Sequence, residues 1–444
     1  MMDNKIYKPA PISGFPEWLP EERIVEQRWL DHIRRTFESY GFCSIETPSV
    51  EALEAITAKG EVDKEIYVLE RLQKDADEKS EARLALHFDQ TVPLARYTAQ
   101  HFNDLVFPFK RYQMQRVWRG ERPQMGRMRE FTQCDIDVIN VDHLPLSFDA
   151  ELAAMMYEVL DGLGIGKVQM RISNRKILMG LLNECDLNED RHVDVLRTVD
   201  KLEKIGEDAV KEILLNELDM RGVDVDSILA LVKLKLPPKK ISELSENCPS
   251  TNNLIDEGVR ELTETINQLS HLPEGAVVAD LSIVRGLDYY TGTVYETILP
   301  DVPEFTGSVC SGGRYDDLAG SFINKHLPGV GISIGFSRLF DVIRQTRPDL
   351  MKIGPKSPAD ILMVLPGEDR RADAAATART LRTRGFKVEM YHAPQKLKKQ
   401  LSYAEKKGIP YVWFPPFEEG AAHEVKEMAT GTQTQADPKE WRKE

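Results

Sequence analysis

The chain has 444 residues, 41% of them hydrophobic, and a net charge of −14 at neutral pH. That length suits roughly two to four domains, and that apolar share suits a soluble fold with a sizeable core. No apolar run reaches the roughly 18 residues that a membrane-spanning helix needs, which argues against a membrane protein.

The first residues, MMDNKIYKPAPISGF, lack the apolar core of a secretory signal, so a cytoplasmic setting is expected. Residues 21–40 then place Ile24, Trp29, Ile33 and Phe37 at helical spacing, with Gly41 as a stop signal. FCSIETPSV reads as a strand ended by a proline turn, 84–88 as a short strand and 91–101 as a helix. Residues 107–119 and 130–141 alternate as the two strands of an antiparallel hairpin, joined by the long basic connection GERPQMGRMR. A helix over 149–164 and a strand over 167–172 follow. From about 175 to 272 the pattern turns helical and charged, with helices near 175–183, 189–203, 206–218 and 252–270 and no strand alternation, as in a helical insertion. Strand patterns return at 277–284, 292–299 and 307–311, where Gly312-Gly313 is expected to break the run. A glycine-rich strand at 329–335 leads into a helix at 336–346. LMKIGPKSP, residues 350–358, reads as a linker. Beyond it, strands ADILMVLP, FKVEMYH and IPYVWFP alternate with helices at 369–384 and 395–407, as in a small α/β domain with a mostly parallel sheet.

The negative charge is unevenly spread. Residues 370–407 carry eleven Lys/Arg against three Asp/Glu, and 110–129 carry seven against Glu121 alone. Basic islands on an acidic body can bind phosphates locally, or each can be a solvated face. The five cysteines, at 43, 134, 185, 248 and 310, form no CxxC pair, which points to free thiols and away from disulfides and zinc.

Five segments carry side chains suited to chemistry. Arg119 stands at the strand end beside the basic loop and Arg127 lies in it, where a guanidinium fork can clamp phosphate oxygens or pair with Glu121. RGLDYYTG, 285–292, sets Arg285 beside the adjacent tyrosines Tyr289 and Tyr290, one for the core and one for a polar contact. SGGRYDDL, 311–318, has paired glycines for a close ligand approach or a turn. In GVGISIGFSRL, small residues at 329, 331, 333 and 335 would leave one open strand face for a planar ring, and Arg338 stands near the start of the next helix. In DQTVPLARY, Asp89 and Thr91 suit an ammonium group or a helix cap.

Together these segments resemble class II histidyl-tRNA synthetases over nearly the whole chain. IETPSVE looks like the motif 1 strand, FKRYQMQRVWRGERPQMGRMREFTQCDIDVI like motif 2 and GISIGFSRL like motif 3. RGLDYYTGTVYE and SGGRYDDL look like the segments peculiar to the histidine enzymes. DQTVPLARY and the length of the insertion look more like the archaeal and eukaryotic branch than the common bacterial one. The resemblance implies that Asp89 and Thr91 hold the α-ammonium of histidine, and that Gln133 touches the amino acid near its carboxylate. It also implies that Asp137 and Tyr290 read the imidazole, with Tyr289 beside the site. Arg119 would bind the ATP α-phosphate and the carboxylate being activated, with Arg285 across from it. Arg127 would meet distal phosphates or the tRNA acceptor end, and Arg338 would sandwich adenine and hold the γ-phosphate. Motif 3 departs from the usual pattern at Ser333, often glycine, and at Ser337.

The resemblance further implies an α+β fold: an antiparallel class II sheet flanked by helices, a helical insertion and a C-terminal α/β anticodon-binding domain. The divisions are a catalytic domain over 1–174 and 273–348, the insertion at 175–272, a linker at 349–358 and the anticodon domain at 359–444. Its ligands would be histidine, ATP with Mg2+ on its phosphates, and tRNA-His, with no zinc; its form would be a homodimer built at motif 1. Arg379, Arg382, Lys396, Lys398 and Lys399 would track the RNA backbone. The competing reading is a non-catalytic relative, either a regulatory subunit of histidine biosynthesis or a tRNA sensor. Such relatives usually lose ATP-site arginines or the C-terminal domain, whereas Arg119, Arg285 and Arg338 are all present here. A synthetase for another amino acid is disfavoured by RGLDYYTG.

Overall fold

The structure, a computed structural model, describes residues 7–57, 65–70, 83–185, 187–188, 191–248, 252–284, 290–317, 319–418 and 420–443. Two compact units divide the chain: Asp31–Leu350 with the segment up to Pro16, and Met351–Glu444 with Glu17–Leu30. A helix over Pro20–Ser39 buries Val25, Trp29, Ile33 and Phe37, a stripe at four-residue spacing. It stops where Gly41 takes φ +78°, and the amides of Gly41 and Phe42 donate to the carbonyls of Glu38 and Phe37. Those paired bonds are a Schellman cap, which needs a left-handed residue at that position.

The first unit is built on a nine-stranded sheet, counted among the described residues. Its strands are β1 (Cys43–Ser44), β5 (Phe109–Trp118), β6 (Glu130–Ile139), β7 (Gln169–Asn174), β8 (Lys235–Leu236), β9 (Val277–Asp280), β10 (Tyr290–Ile298), β11 (Cys310–Tyr315) and β12 (Gly329–Ile334), with β2 (Val50–Ala52), β3 (Val68–Leu69) and β4 (Leu84–Leu86) forming a small separate sheet. The large sheet runs β1-β5-β6-β12-β11-β10-β7-β9-β8, antiparallel from β5 through β7. Alternation assigns its faces. On β6, Cys134, Ile136 and Val138 are fully buried and point to one side, while Gln133, Asp135 and Asp137 point to the other. The apolar side is covered by the helices Ser147–Gly162, which meets β12, and Phe336–Thr346, which meets β6. The polar side is left for chemistry.

Two expectations are corrected here. Gly312 and Gly313 lie inside β11, paired with Ile332 and Gly331 of β12, and do not break the strand. Their missing side chains serve packing rather than a turn, because a Cβ on Gly313 would stand 2.7 Å from the ring of Tyr290. The insertion is also not purely helical. Beyond the expected helices it holds a further one at Gly222–Val232 and the edge strand β8, antiparallel to β9. Two residues of strand are too short for a period-two signal. Arg171 of β7, buried, ties this region together by pairing with Asp280 at 2.6 Å, Glu203 at 2.6 Å and Glu296 at 3.4 Å.

The second unit has its own sheet: β13 (Ile361–Met363), β14 (Val388–Met390), β15 (Tyr411–Phe414), β16 (Glu424–Glu427) and β17 (Gln433–Gln435), in the order β14-β13-β15-β16-β17. The first three are parallel, crossed over by the helices Arg371–Thr383 and Leu397–Lys407. Ile361 and Met363 enter one core with Trp413, while Leu362 and Val364 enter another with Val412, so both faces are buried and the strands read as continuous apolar runs. The antiparallel hairpin β16–β17 was not anticipated, since its strands are short and polar. Cys134, Cys185, Cys248 and Cys310 are buried free thiols, and Cys43 is an exposed one.

Candidate active site

The polar side of β5, β6, β12 and β11 carries Gln133 and Asp137 of the residues singled out from the sequence, with Asp89, Arg119 and Tyr290 beside it. Pairing is direct: Arg111, Gln113 and Gln115 of β5 stand opposite Asp137, Asp135 and Gln133 of β6. Gly331 and Ser333 of β12 stand opposite Asp137 and Asp135 from the other side. Tyr290 opens β10 opposite Tyr315 of β11. From Phe131 to Asp137 this row spans on the order of 20 Å at the rise of an extended strand. It is therefore a trough, with distinct ends.

At one end lies an acid-rich pocket. Asp137 is held at 2.6 Å by the buried Arg111 guanidinium and accepts the Tyr315 hydroxyl at 3.0 Å. Neither partner was identified from the sequence. Burial pushes the Asp137 carboxyl up to about 6 and that of Asp135 up to about 7, against the opposing pull of Arg111. Asp89 adds to both shifts, so its charge faces the same space. Three carboxylates around one arginine favour a cationic guest. Gly331 makes room for this arrangement, because a Cβ there would stand 2.0 Å from Asp137 Oδ1. The open face expected at the small residues of β12 is thus filled here by Asp137 and, over Gly329, by the Tyr315 ring.

Asp89 reaches the pocket on the turn before the helix Thr91–Gln100. Its Oδ1 accepts the Val92 amide at 3.2 Å, a bond to the first turn of a helix whose N-cap position is Gln90, not Asp89 or Thr91. The turn is pinned to the sheet: Gln90 Nε2 donates to the carbonyls of Gln115 and Gln133, His87 Nε2 lies 2.7 Å from the Arg116 carbonyl, and Arg119 Nε donates to the Phe88 carbonyl. Gln133 Nε2 donates to Ser333 Oγ at 2.9 Å, and Gln133 Oε1 is buried without a hydrogen-bond partner. Gln90 Oε1, Gln113 Oε1 and two nitrogens of Arg111 are in the same condition. Buried polar atoms are normally satisfied, so these orphans, on β5, β6 and the turn pinned to them, make this region the candidate for a polar ligand.

At the other end, the Arg119 guanidinium lies over the Phe131 ring at 5.2 Å. Arg127 pairs with Glu121 at 2.6 Å, so the surface ion pair weighed for this loop belongs to Arg127. Much of the basic island is neutralised in the same way: Arg116 pairs with Glu130, Lys110 with Glu151 and Arg111 with Asp137. Arg338 donates to the carbonyls of Gly126 and Ser308, and Asp341 accepts the Gly126 amide. Ser337 Oγ accepts the Thr132 amide at 2.9 Å. The helix that follows β12 therefore fastens the basic loop. Arg285 and Tyr289 lie outside the described residues. Among the described residues, no group of three or more His, Cys, Asp and Glu side chains could hold a metal ion, and no helix is long and apolar enough to cross a membrane.

Comparison with known proteins fits this geometry. A family model described as histidyl-tRNA synthetase matches residues 14–339, and one described as anticodon binding domain matches residues 361–443. A histidine--tRNA ligase of Thermobifida fusca is 55% identical over 442 residues, covering 99% of this chain and all of that one. A histidine--tRNA ligase of Micrococcus luteus is 44% identical, covering 97% and 96%. The crystal structure of histidyl-tRNA synthetase from Nostoc sp. PCC 7120 superimposes with a TM-score of 0.86 at 38% identity, covering 97% of both chains. An ATP phosphoribosyltransferase regulatory subunit/histidyl-tRNA synthetase from Bacillus halodurans, at 23% identity and a TM-score of 0.73, shares the fold. The sheet, its polar trough and these matches lead to one conclusion: the chain belongs to the histidyl-tRNA synthetase family.

Proposed function

We propose that the trough performs both steps of histidine–tRNA ligation, the acid-rich end taking histidine and the Arg119 end taking ATP. The observation that carries this is that Gln133 and Asp137 share the polar face of β6, with Asp89 acting on Asp137 at one end, Arg119 over Phe131 at the other, and Gln133 Oε1 buried without a partner. The α-ammonium of histidine lies against Asp89 and Thr91. Gln133 Oε1 must meet a donor, and near the reacting carboxylate of histidine that donor is the ammonium. Asp137 has two lone-pair sites left beyond Arg111 and Tyr315, enough to accept an imidazole N–H. Tyr290 supplies the second imidazole contact, with Tyr289 beside it.

Activation joins two anions. A carboxylate oxygen of histidine attacks the α-phosphorus of ATP, and the bond to the bridging oxygen breaks to release pyrophosphate. No base is needed, since the nucleophile is already ionised at neutral pH. Fixed positive charge is needed instead, and Arg119 with Arg285 on the opposite side supplies it. ATP enters as its magnesium complex, the ion travelling with the β- and γ-phosphates. Arg338 lies along the adenine and γ-phosphate, and Arg127 exchanges Glu121 for distal phosphates or the acceptor end. A ribose hydroxyl at the 3′ end of tRNA-His then attacks the histidyl carbonyl and AMP leaves.

The exposed cations Arg379, Lys396, Lys398 and Lys399 of the second unit, with Arg382, track the tRNA backbone. A homodimer forms at motif 1, next to β1, which is the edge strand of the large sheet. The setting is the cytoplasm. Histidine-dependent ATP–pyrophosphate exchange, followed by charging of tRNA-His, tests the assignment. Folded protein that exchanges with no amino acid would overturn it.

A further inference from the structure

Ser333, the motif 3 departure from glycine, lies directly opposite Asp135 in the β6–β12 register. Its hydroxyl donates to Asp135 Oδ1 at 2.5 Å and accepts from Gln133 Nε2 at 2.9 Å. A hydroxyl has one proton. With that proton directed at the carboxylate, the oxygen can only accept from Gln133, and the Gln133 amide can only offer its NH2 group. Gln133 Oε1 is thereby turned the other way, where it is buried and unpartnered.

We propose that Asp135 and Ser333 are positioning residues that set which end of the Gln133 amide faces the substrate ammonium. Asp135 is buried, and Arg111 on β5, Asp137 on β6 and Asp89 on the turn before the helix act on it electrostatically. An amide's two ends are nearly equal in size, so without a bias it turns over at little steric cost. Turned over, it would present a donor to a cation, which is repulsive. The chain of bonds acts on ammonium binding alone and leaves the imidazole to Asp137. This inference rests on the reading that Gln133 contacts the ammonium.

Two histidine analogues separate the cases in titration calorimetry on the full chain. L-histidinol keeps the ammonium and imidazole, and 3-(imidazol-4-yl)propanoate lacks the ammonium. Ser333→Ala is expected to weaken histidinol binding about 10- to 100-fold, the effect of one hydrogen bond to a charged group. Propanoate binding should stay within about twofold, since imidazole recognition is untouched. Asp135→Leu, which removes the acceptor, should follow the same split. Equal weakening of both analogues would mean a merely structural role and overturn the proposal. Unchanged histidinol binding in Ser333→Ala, with weakened binding in Gln133→Ala, would reject the relay while leaving the Gln133 contact standing. Unchanged histidinol binding in Gln133→Ala would remove that contact, and the relay with it.

Discussion

Gly331→Ala isolates the packing that holds Asp137. The new Cβ would lie 2.0 Å from Asp137 Oδ1 and 2.6 Å from Cγ, inside a normal contact by more than an ångström. Asp137 cannot yield freely, because Arg111 grips it at 2.6 Å and Tyr315 at 3.0 Å. Moving the carboxylate until its contact with Arg111 is about 4 Å costs about 2 kcal/mol at an effective dielectric near 20. Losing the Tyr315 bond to a charged acceptor costs about 2 kcal/mol more. Alanine's smaller unfolded-state entropy returns at most about 1 kcal/mol, leaving a net loss of about 3 kcal/mol. Melting should fall by several degrees. Histidine KM in pyrophosphate exchange should rise on the order of 100-fold, as in sites whose polar groups lose their partners. KM for ATP, bound at the far end of the trough, should hold. Gly222→Ala is the control, since no atom lies within 4 Å of its Cβ and it begins a helix; stability there should stay level or gain up to about 1 kcal/mol. Wild-type melting and histidine KM in Gly331→Ala would refute the claim that Asp137 is locked in place.

Other consequences can be checked in the same preparations. Arg119→Lys loses the planar fork and its stacking on Phe131, so pyrophosphate exchange should drop on the order of 100-fold with histidine binding retained in calorimetry. Arg171→Leu removes the buried guanidinium from Asp280 and Glu296, while Asp280 keeps Lys235 at 3.0 Å and the Ser282 hydroxyl, so thermal or urea unfolding should show a loss of about 3 kcal/mol. The pH dependence follows from Asp135 and Asp137, whose folded values of about 7 and about 6 lie above their unfolded ones. Their contribution to stability is therefore most favourable below about pH 4 and is lost as pH rises through 6 to 7. A cationic ligand favours the ionised forms. Thermal stabilisation by histidine should accordingly be larger at pH 8 than at pH 5.5, and Asp137→Asn should flatten that difference. An equal histidine shift at both pH values would contradict it.

Periodicity and spacing were enough to find the first helix, the β5–β6 hairpin, the helix after β12 and the alternation of strands and helices in the second unit. Those are local properties, written in 3.6- and 2-residue repeats along one stretch of chain. The same alternation put Gln133 and Asp137 on one side of β6, with Cys134, Ile136 and Val138 on the other. Sequence could not name the partners. Arg111, Tyr315 and Ser333 meet β6 from three other strands, and only strand register decides that they stand beside Asp137 and Asp135. Paired glycines at 312–313 read as a break because a turn and a close approach need the same missing Cβ. The tertiary fold resolved that choice by laying the Tyr290 ring over Gly313. Arg127 and Glu121, near neighbours, could be weighed as a pair from the chain alone, whereas the two carbonyls on Arg338 come from distant loops. Local sequence thus determined which elements form and which chemistry they carry. Long-range pairing decided which groups face one another, because side-chain charge and hydrogen bonding act through space over a few ångströms, however far apart the residues lie in the chain.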